Sequence, residues 1–173
     1  MNKARKPAPP PIPDEAHRAP FADRPAREGY FPHLMSRLTN RLNLTLLDHL
    51  VDYGITIPQW RVLQYLYDRD GATIGDIGAD IVMRQPAVSR IVVQLEERDL
   101  AARRKNPDNA RYVNVFLTAR GREIIQIGTP LAVAVSEEAL SALDSGERVL
   151  LTQYLQRMFH KLNTKNHHGR GRE

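Results

Sequence analysis

A mainly α-helical chain carrying one small β-hairpin is the fold class this sequence predicts, and three observations carry it. Long stretches set apolar residues at three- and four-residue steps, as in Phe31, Leu34, Leu38, Leu42 and Leu46, the repeat of a helix that buries one side. Residues 112–117 instead alternate, with Tyr112, Asn114 and Phe116 set against Val113, Val115 and Leu117, which is the period of a strand. Between the periodic stretches stand residues that start helices: Thr56, Thr73, Thr118 and Asp144 each offer a side-chain oxygen to the orphan amides of a first turn.

Size and charge narrow the class. The 173 residues, 42% of them hydrophobic, fit one ordinary core with tails. A formal charge of +5 and a pI near 9.7 favour polyanionic partners, nucleic acid ahead of an anionic membrane surface. The absence of cysteine excludes a disulfide framework, a thiolate zinc site and a thiol redox sensor. No apolar run approaches the roughly 18 residues of a membrane span, and the basic start (Lys3, Arg5, Lys6) lacks the apolar run of a signal peptide. The expectation is a soluble, cytoplasmic protein with no membrane partner.

Residues 1–28 are dense in proline, including Pro9, Pro10, Pro11 and Pro13, among Lys, Arg and Ala. Too few apolar groups are present to offset ordering entropy, so a disordered, basic, polyproline-like tail is expected. Residues 30–53 then read as a helix. A second stripe of Leu44, Leu47 and Val51 makes it apolar on two sides, which calls for burial against other helices or a second subunit. Gly54 supplies its stop.

Thr56, Pro58 and Gln59 form the start of the next helix, with Gln59 in the capping-box position and Pro58 in the first turn. Ile55 and Trp60 can staple its entry, and Asp70-Gly71 ends it. A short helix follows from Thr73, with Asp76 in its first turn and Ile74, Ile77, Ile81 and Val82 as its apolar face. Met83-Arg84 is the turn. Gln85-Pro86 opens a fourth helix buried through Val88, Ile91, Val92 and Leu95 and closed by Asp99-Leu100. Two short helices around a tight turn make a helix-turn-helix. Residues 101–105 and 111–117 then pair as two strands around a turn at 106–109, which makes the unit a winged helix. Thr118 caps a long helix to about residue 143, with a bend expected at Gly128 and Pro130. Asp144 caps a last helix with Val149, Leu150, Tyr154, Leu155, Met158 and Leu162 on its apolar side. The end of the chain is polar, basic and expected to fray.

The chemistry concentrates in residues 84–118. Gln85, Ala87, Ser89, Arg90 and Gln94 lie off the buried stripe of the fourth helix. Gln and Arg can each bond two atoms of a base edge in the major groove, and Ser89 can bond an edge or a phosphate. Arg84, ahead of the helix, suits a phosphate. An ordinary solvated helix face reads the same way, so the hairpin decides. Arg103, Arg104, Lys105 and Arg111 crowd its tip with only Asp108 nearby in sequence to neutralise them. A phosphate backbone relieves that repulsion, and Arg111 can enter a minor groove.

At this point the sequence resembles the MarR-type transcriptional regulators. Their wing signature is Asp-x-Arg, then x-x-x-Val-x-Leu-Thr; here Asn109-Ala110-Arg111 precedes Tyr112-Val113-Asn114-Val115-Phe116-Leu117-Thr118. Gln85-Pro86-Ala87-Val88-Ser89-Arg90 and Leu95-Glu96-Glu97-Arg98 also look like that family's recognition helix, and the likeness spans roughly residues 30–163. It implies a homodimer binding double-stranded DNA, with residues 29–55 and 119–163 as dimerisation helices around a reading lobe at 56–118, and 164–173 as a basic flexible tail. It also implies that the two lobes read half-sites of a pseudo-palindrome and that Arg111 reaches a minor groove. Two positions depart from it. Asn109 stands where the family has the Asp that orients the wing arginine. Arg84 stands where many relatives have a capping Ser, a loss of about 1 kcal/mol.

The resemblance further implies a small-molecule effector held between the dimer layer and the reading lobe, and no cofactor. His33, Arg37 and Arg41 on the first helix with Trp60 and Tyr65 on the second are the candidates, arginine for a carboxylate and aromatic rings for a flat wall. An aromatic carboxylate or an aromatic acyl-CoA fits that chemistry; Trp60 also fits the core, and Arg37 and Arg41 an exposed face. Of the histidines, His17, His33, His49, His160, His167 and His168 form no metal or catalytic spacing, so neither a metal site nor an enzyme is expected. The expected function is therefore a sequence-specific DNA-binding repressor released by its effector. The alternative is a winged-helix interaction module whose basic wing meets an acidic protein.

Overall fold

The computed structural model describes residues 30–105 and 113–167. The proline-rich segment 1–28, the hairpin tip with Asn109 and Arg111, and residues 168–173 lie outside the described residues. In chain order the elements are α1 (Phe31–Leu50), α2 (Ile57–Asp68), β1 (Ala72–Thr73), α3 (Ile74–Asp80), α4 (Gln85–Glu97), β2 (Ala101–Lys105), β3 (Val113–Leu117), α5 (Ala119–Leu140) and α6 (Ser145–His167). The chain divides into two compact units, Met1–Arg41 and Leu42–Glu173, the boundary falling inside α1. The core described below belongs to the second.

The starts of α2, α3, α5 and α6 follow the sequence. Thr56 accepts from the Gln59 amide at 3.4 Å while Gln59 returns its side-chain oxygen to the Thr56 amide at 3.1 Å. Thr73 and Asp76 repeat the exchange, at 3.2 Å each way. Asp144 and Glu147 do so at 2.9 Å each way. Thr118 accepts from the Gly121 amide. α4 begins without a side-chain cap, on Arg84.

Two helix ends fall where expected, at Gly54 and Asp99, and the third, at Val82, does not. Three helical segments stop on a left-handed residue: Gly54, Val82 and Asp99, with φ of 63°, 55° and 56°. In each case the following amide reaches back five residues, Ile55 to Leu50, Met83 to Gly78 and Leu100 to Leu95, which satisfies a carbonyl the helix leaves orphaned. Only the first uses glycine. Val82, expected on the buried face of the third helix, is 72% exposed, because α3 has already ended at Asp80 and the turn swings it outward.

The two-stranded wing of β2 and β3 is joined by the two-residue β1 into a three-stranded antiparallel sheet in the order β1-β3-β2. Ala72 pairs with Val115 and Thr73 with Asn114, while β2 runs beside β3 from Ala101 opposite Leu117 to Lys105 opposite Val113. Asp70 holds this corner together. Its carboxylate accepts from the Leu117 amide at 2.8 Å and forms an ion pair with Arg122 of α5.

The core gathers Trp60, Leu63 and Leu66 of α2, Val88, Val92 and Leu95 of α4, Val115 of β3 and Ile125 of α5. α5 runs unbroken through Gly128 and Pro130, where an irregularity was expected. The structure gives Gly128 a different reason: a Cβ there would lie 2.4 Å from Trp60 Cζ3. Gly121 is similar, since its Cβ would lie 2.0 Å from the Leu100 carbonyl oxygen. The two glycines let α5 close onto the reading lobe. α6 continues to His167, so residues 164–167 are helical.

Candidate nucleic-acid interface

α4 places its side chains on three flanks. Val88, Ile91, Val92 and Leu95 are buried; Pro86, Arg90 and Glu97 face solvent; Gln85, Ser89 and Glu96, spaced by four and seven residues, share the flank toward the sheet. Gln85 and Arg90 are exposed and Ala87 and Ser89 half-buried. Gln85, Pro86 and Ser89 line a groove of about 530 Å³ together with Thr73, Ile74 and Gly75 at the start of α3 and Val113 of β3. Gly75 keeps that groove open on the α3 side, where an added Cβ would lie 3.2 Å from Gln85 Nε2. Gln85, Ser89 and Thr73 are the polar side chains on this otherwise largely apolar concave face. Arg84 is exposed at its edge.

Gln94 is placed differently from Gln85, Ser89 and Arg90. Although exposed, its side-chain oxygen accepts from Gln59 Nε2 at 3.2 Å, and Gln59 is the one buried polar residue among the described residues. Gln94 thus satisfies the amide of a capping residue two helices away, a long-range role that its position in sequence does not signal.

The cations of the hairpin are also divided. Arg103, expected at a phosphate, is bound by Glu96 of α4: Nη2 lies 2.6 Å and Nε 2.8 Å from Oε2, and the Arg103 amide donates to Oε1 at 3.1 Å. The Arg103 side-chain bond, then its backbone bond, hold the Glu96 carboxyl below the usual range. Arg104 lies over the Phe116 ring, 5.1 Å from its centroid. Lys105 is exposed, and Asn109 and Arg111 lie outside the described residues. Asp108 is the one acidic residue within the hairpin sequence, whereas Glu96 is seven residues from Arg103, across a helix end, where sequence proximity gives no signal of the contact. Arg98 belongs to the Leu95-Glu96-Glu97-Arg98 motif. It donates to the Tyr53 and Gly54 carbonyls at 2.7 and 2.5 Å, tying the end of α4 to the turn before α2.

The residues named for an effector do not fall in one unit. His33, Arg37 and Arg41 stand at four-residue steps on α1, His33 half-buried and both arginines exposed. Trp60 is only 2% exposed and packed against Gly128, so it serves the core and offers no open wall. Tyr65, mostly buried, borders a cavity of about 530 Å³ shared with Arg61, Gln64, Asp68, Arg69, Asp80 and Ile81. The Arg69 guanidinium sits 6.0 Å from the Tyr65 ring centroid. Among the described residues no group of three or more His, Asp or Glu is placed to hold a metal ion, and no helix is long and apolar enough to cross a membrane.

Comparison with known proteins places this geometry. Residues 55–113 match the MarR family profile. The HTH-type transcriptional regulator YdgJ of Bacillus subtilis is 31% identical over 110 residues, 64% of this chain and 67% of its own. A crystal structure of a MarR-family transcriptional regulator from Silicibacter pomeroyi superposes with a TM-score of 0.70 at 28% identity, covering 78% of this chain and 90% of that one. BpsR of Bordetella bronchiseptica, whose DNA binding is regulated by 6-hydroxynicotinic acid, does so with a TM-score of 0.67 at 27% identity, covering 73% and 96%. The winged helix and these likenesses agree: the chain belongs to the MarR family of DNA-binding transcriptional regulators.

Proposed function

We propose that the chain is a homodimeric repressor that binds a pseudo-palindromic operator and leaves it when a small anionic effector, an aromatic carboxylate or aromatic acyl-CoA, is bound. The observation that carries the DNA-reading part is the groove beside α4. Gln85 and Ser89 line it and Arg90 stands on the adjoining exposed face, within the first turns of a helix that fits a major groove. The dimer is supported by α6, which exposes Val149, Leu150, Tyr154, Met158, Phe159 and Leu162. Each is already about half-buried, so full burial against a second copy would add roughly half of the ~1.5–3 kcal/mol of a wholly exposed side chain. The effector class is supported by BpsR, whose DNA binding responds to an aromatic acid.

The test is binding of the full chain to duplex DNA from upstream of its own gene, against a random duplex of the same length, across a salt series. A preference for the upstream duplex with affinity falling steeply with salt is expected. Arg111→Ala should weaken that binding about tenfold or more. Equal binding of both duplexes at physiological salt refutes sequence-specific regulation. Release by 6-hydroxynicotinic acid or benzoate tests the effector class, and a single-copy mass in solution refutes the dimer.

A further inference from the structure

The hairpin cations first read as a phosphate-binding cluster, but Arg103 is engaged in another way. β2 is an edge strand, and the outward amide of Arg103 points away from β3 and is taken by Glu96 Oε1. The same carboxylate receives the Arg103 side chain through Nε and Nη2. Glu96 therefore grips both the backbone and the side chain of one strand residue. It does so from the flank of α4 that also carries Ser89 and Gln85, about 10 and 16 Å along the helix axis. A phosphate approaching Arg103 would meet the Glu96 carboxylate beside it. Both side chains stay about a third exposed, 37% and 35%, so water can compete for the pair and its geometry rests on the two-point grip.

We propose that Glu96 and Arg103 are a positioning pair for DNA reading, fixing the angle of the hairpin to the recognition helix, and that Arg103 makes no phosphate contact. The proposal rests on the DNA-reading function above. Gln85 and Ser89 meet base edges only at one docking of α4, and the hairpin contributes at that docking only if its base is held. The pair sets that relation, so its loss acts on the discrimination between sequences rather than on charge attraction to any duplex.

The experiment uses the full chain, the upstream duplex and a random duplex of equal length, with Glu96→Gln, Arg103→Gln and the double variant. Melting temperatures confirm that each remains folded. The positioning reading expects each single variant to lower the ratio of specific to random affinity on the order of fivefold, near the upper size of an exposed pair. The double variant should be no worse than the worse single one, because the two side chains act only through each other. The salt slope of binding should be unchanged by Arg103→Gln, whereas loss of a phosphate contact lowers it by about 0.9. Tighter binding by Glu96→Gln, a reduced slope in Arg103→Gln, or additive losses in the double variant overturns the proposal while leaving the DNA-reading function standing. A wild-type chain that binds both duplexes equally overturns both.

Discussion

Replacing Gly128 by alanine is the sharpest test of how α5 is joined to the reading lobe. In a solvated helix this change is favourable by about 1 kcal/mol, since glycine loses more backbone entropy on folding. Here the new Cβ would lie 2.4 and 2.6 Å from Cζ3 and Cη2 of Trp60 and 3.3 Å from a Leu50 methyl. Trp60 is 2% exposed and Leu50 1%, so neither can retreat into solvent, and one methyl too many in a close-packed core costs about 1–3 kcal/mol. The larger figure applies because both ring atoms are well inside contact distance. The net effect is a destabilisation of about 1–2 kcal/mol, or a fall in melting temperature of roughly 2–8 °C for a chain of this length. Differential scanning calorimetry reads it directly, and Gly146→Ala serves as control. There the Cβ would meet only Asp144 Oδ1, at 3.3 Å, at an exposed first turn, so stability should equal that of wild type or exceed it by up to about 1 kcal/mol. In a Trp60→Phe background, which removes the clashing ring, Gly128→Ala should lose most of its cost. A Gly128→Ala chain melting at or above the wild type refutes the packing argument.

Val82→Gly should stabilise the chain by on the order of 1 kcal/mol, because a β-branched residue at φ 55° is strained and its exposed side chain gives up little burial; urea denaturation would show an unchanged or lower midpoint if the turn is not strained. Asp70→Ala should cost about 1–3 kcal/mol, since it strips the Leu117 amide and Arg122 of their shared acceptor; a thermal melt equal to wild type would count against that corner being structural. The Glu96–Arg103 pair should be acid-labile. Glu96 has a depressed pKa, so its contribution is present above the ordinary glutamate range and is lost as the pH falls through the lowered value. The difference in melting temperature between wild type and Glu96→Gln should accordingly shrink on going from about pH 6 to about pH 3, and a constant gap across that range would contradict the assignment.

The helices were legible because each carries both a period and a start signal. Thr56, Thr73, Thr118 and Asp144 lie where a side-chain oxygen caps a first turn, and no tertiary contact overrode them. What escaped was set by distant partners. β1 is two residues long, too short for any alternation, and exists because Val115 offers it a pairing edge. Val82 looked apolar and therefore buried, but a chain that must turn sharply after Asp80 puts its left-handed residue outside whatever its side chain. Gly128 looked like a helix breaker; its sequence neighbours give no hint that a tryptophan sixty-eight positions earlier needs the space of its missing methyl. The same holds at the interface. The helix period alone sets Gln85, Ser89 and Arg90 off the buried stripe, where the structure also has them, whereas Gln94 is taken by Gln59 and Trp60 by the core.

Counting cations therefore overstates what the chain can offer to phosphates. Arg98 is spent on two carbonyls, and Arg103, Arg122 and Arg148 each hold a carboxylate of another element. Arg104 lies on an aromatic ring, where the charge remains but the guanidinium is no longer free to follow a phosphate. Among the described residues around α4, the exposed cations left are Arg84, Arg90 and Lys105. Binding that depended on total charge would be insensitive to which arginine is removed. The proposed DNA reading separates them: Arg84, Arg90 and Lys105 are predicted to act on the duplex itself, whereas Arg98 and Arg103 are predicted to act by keeping the helix and the hairpin where the duplex can meet both.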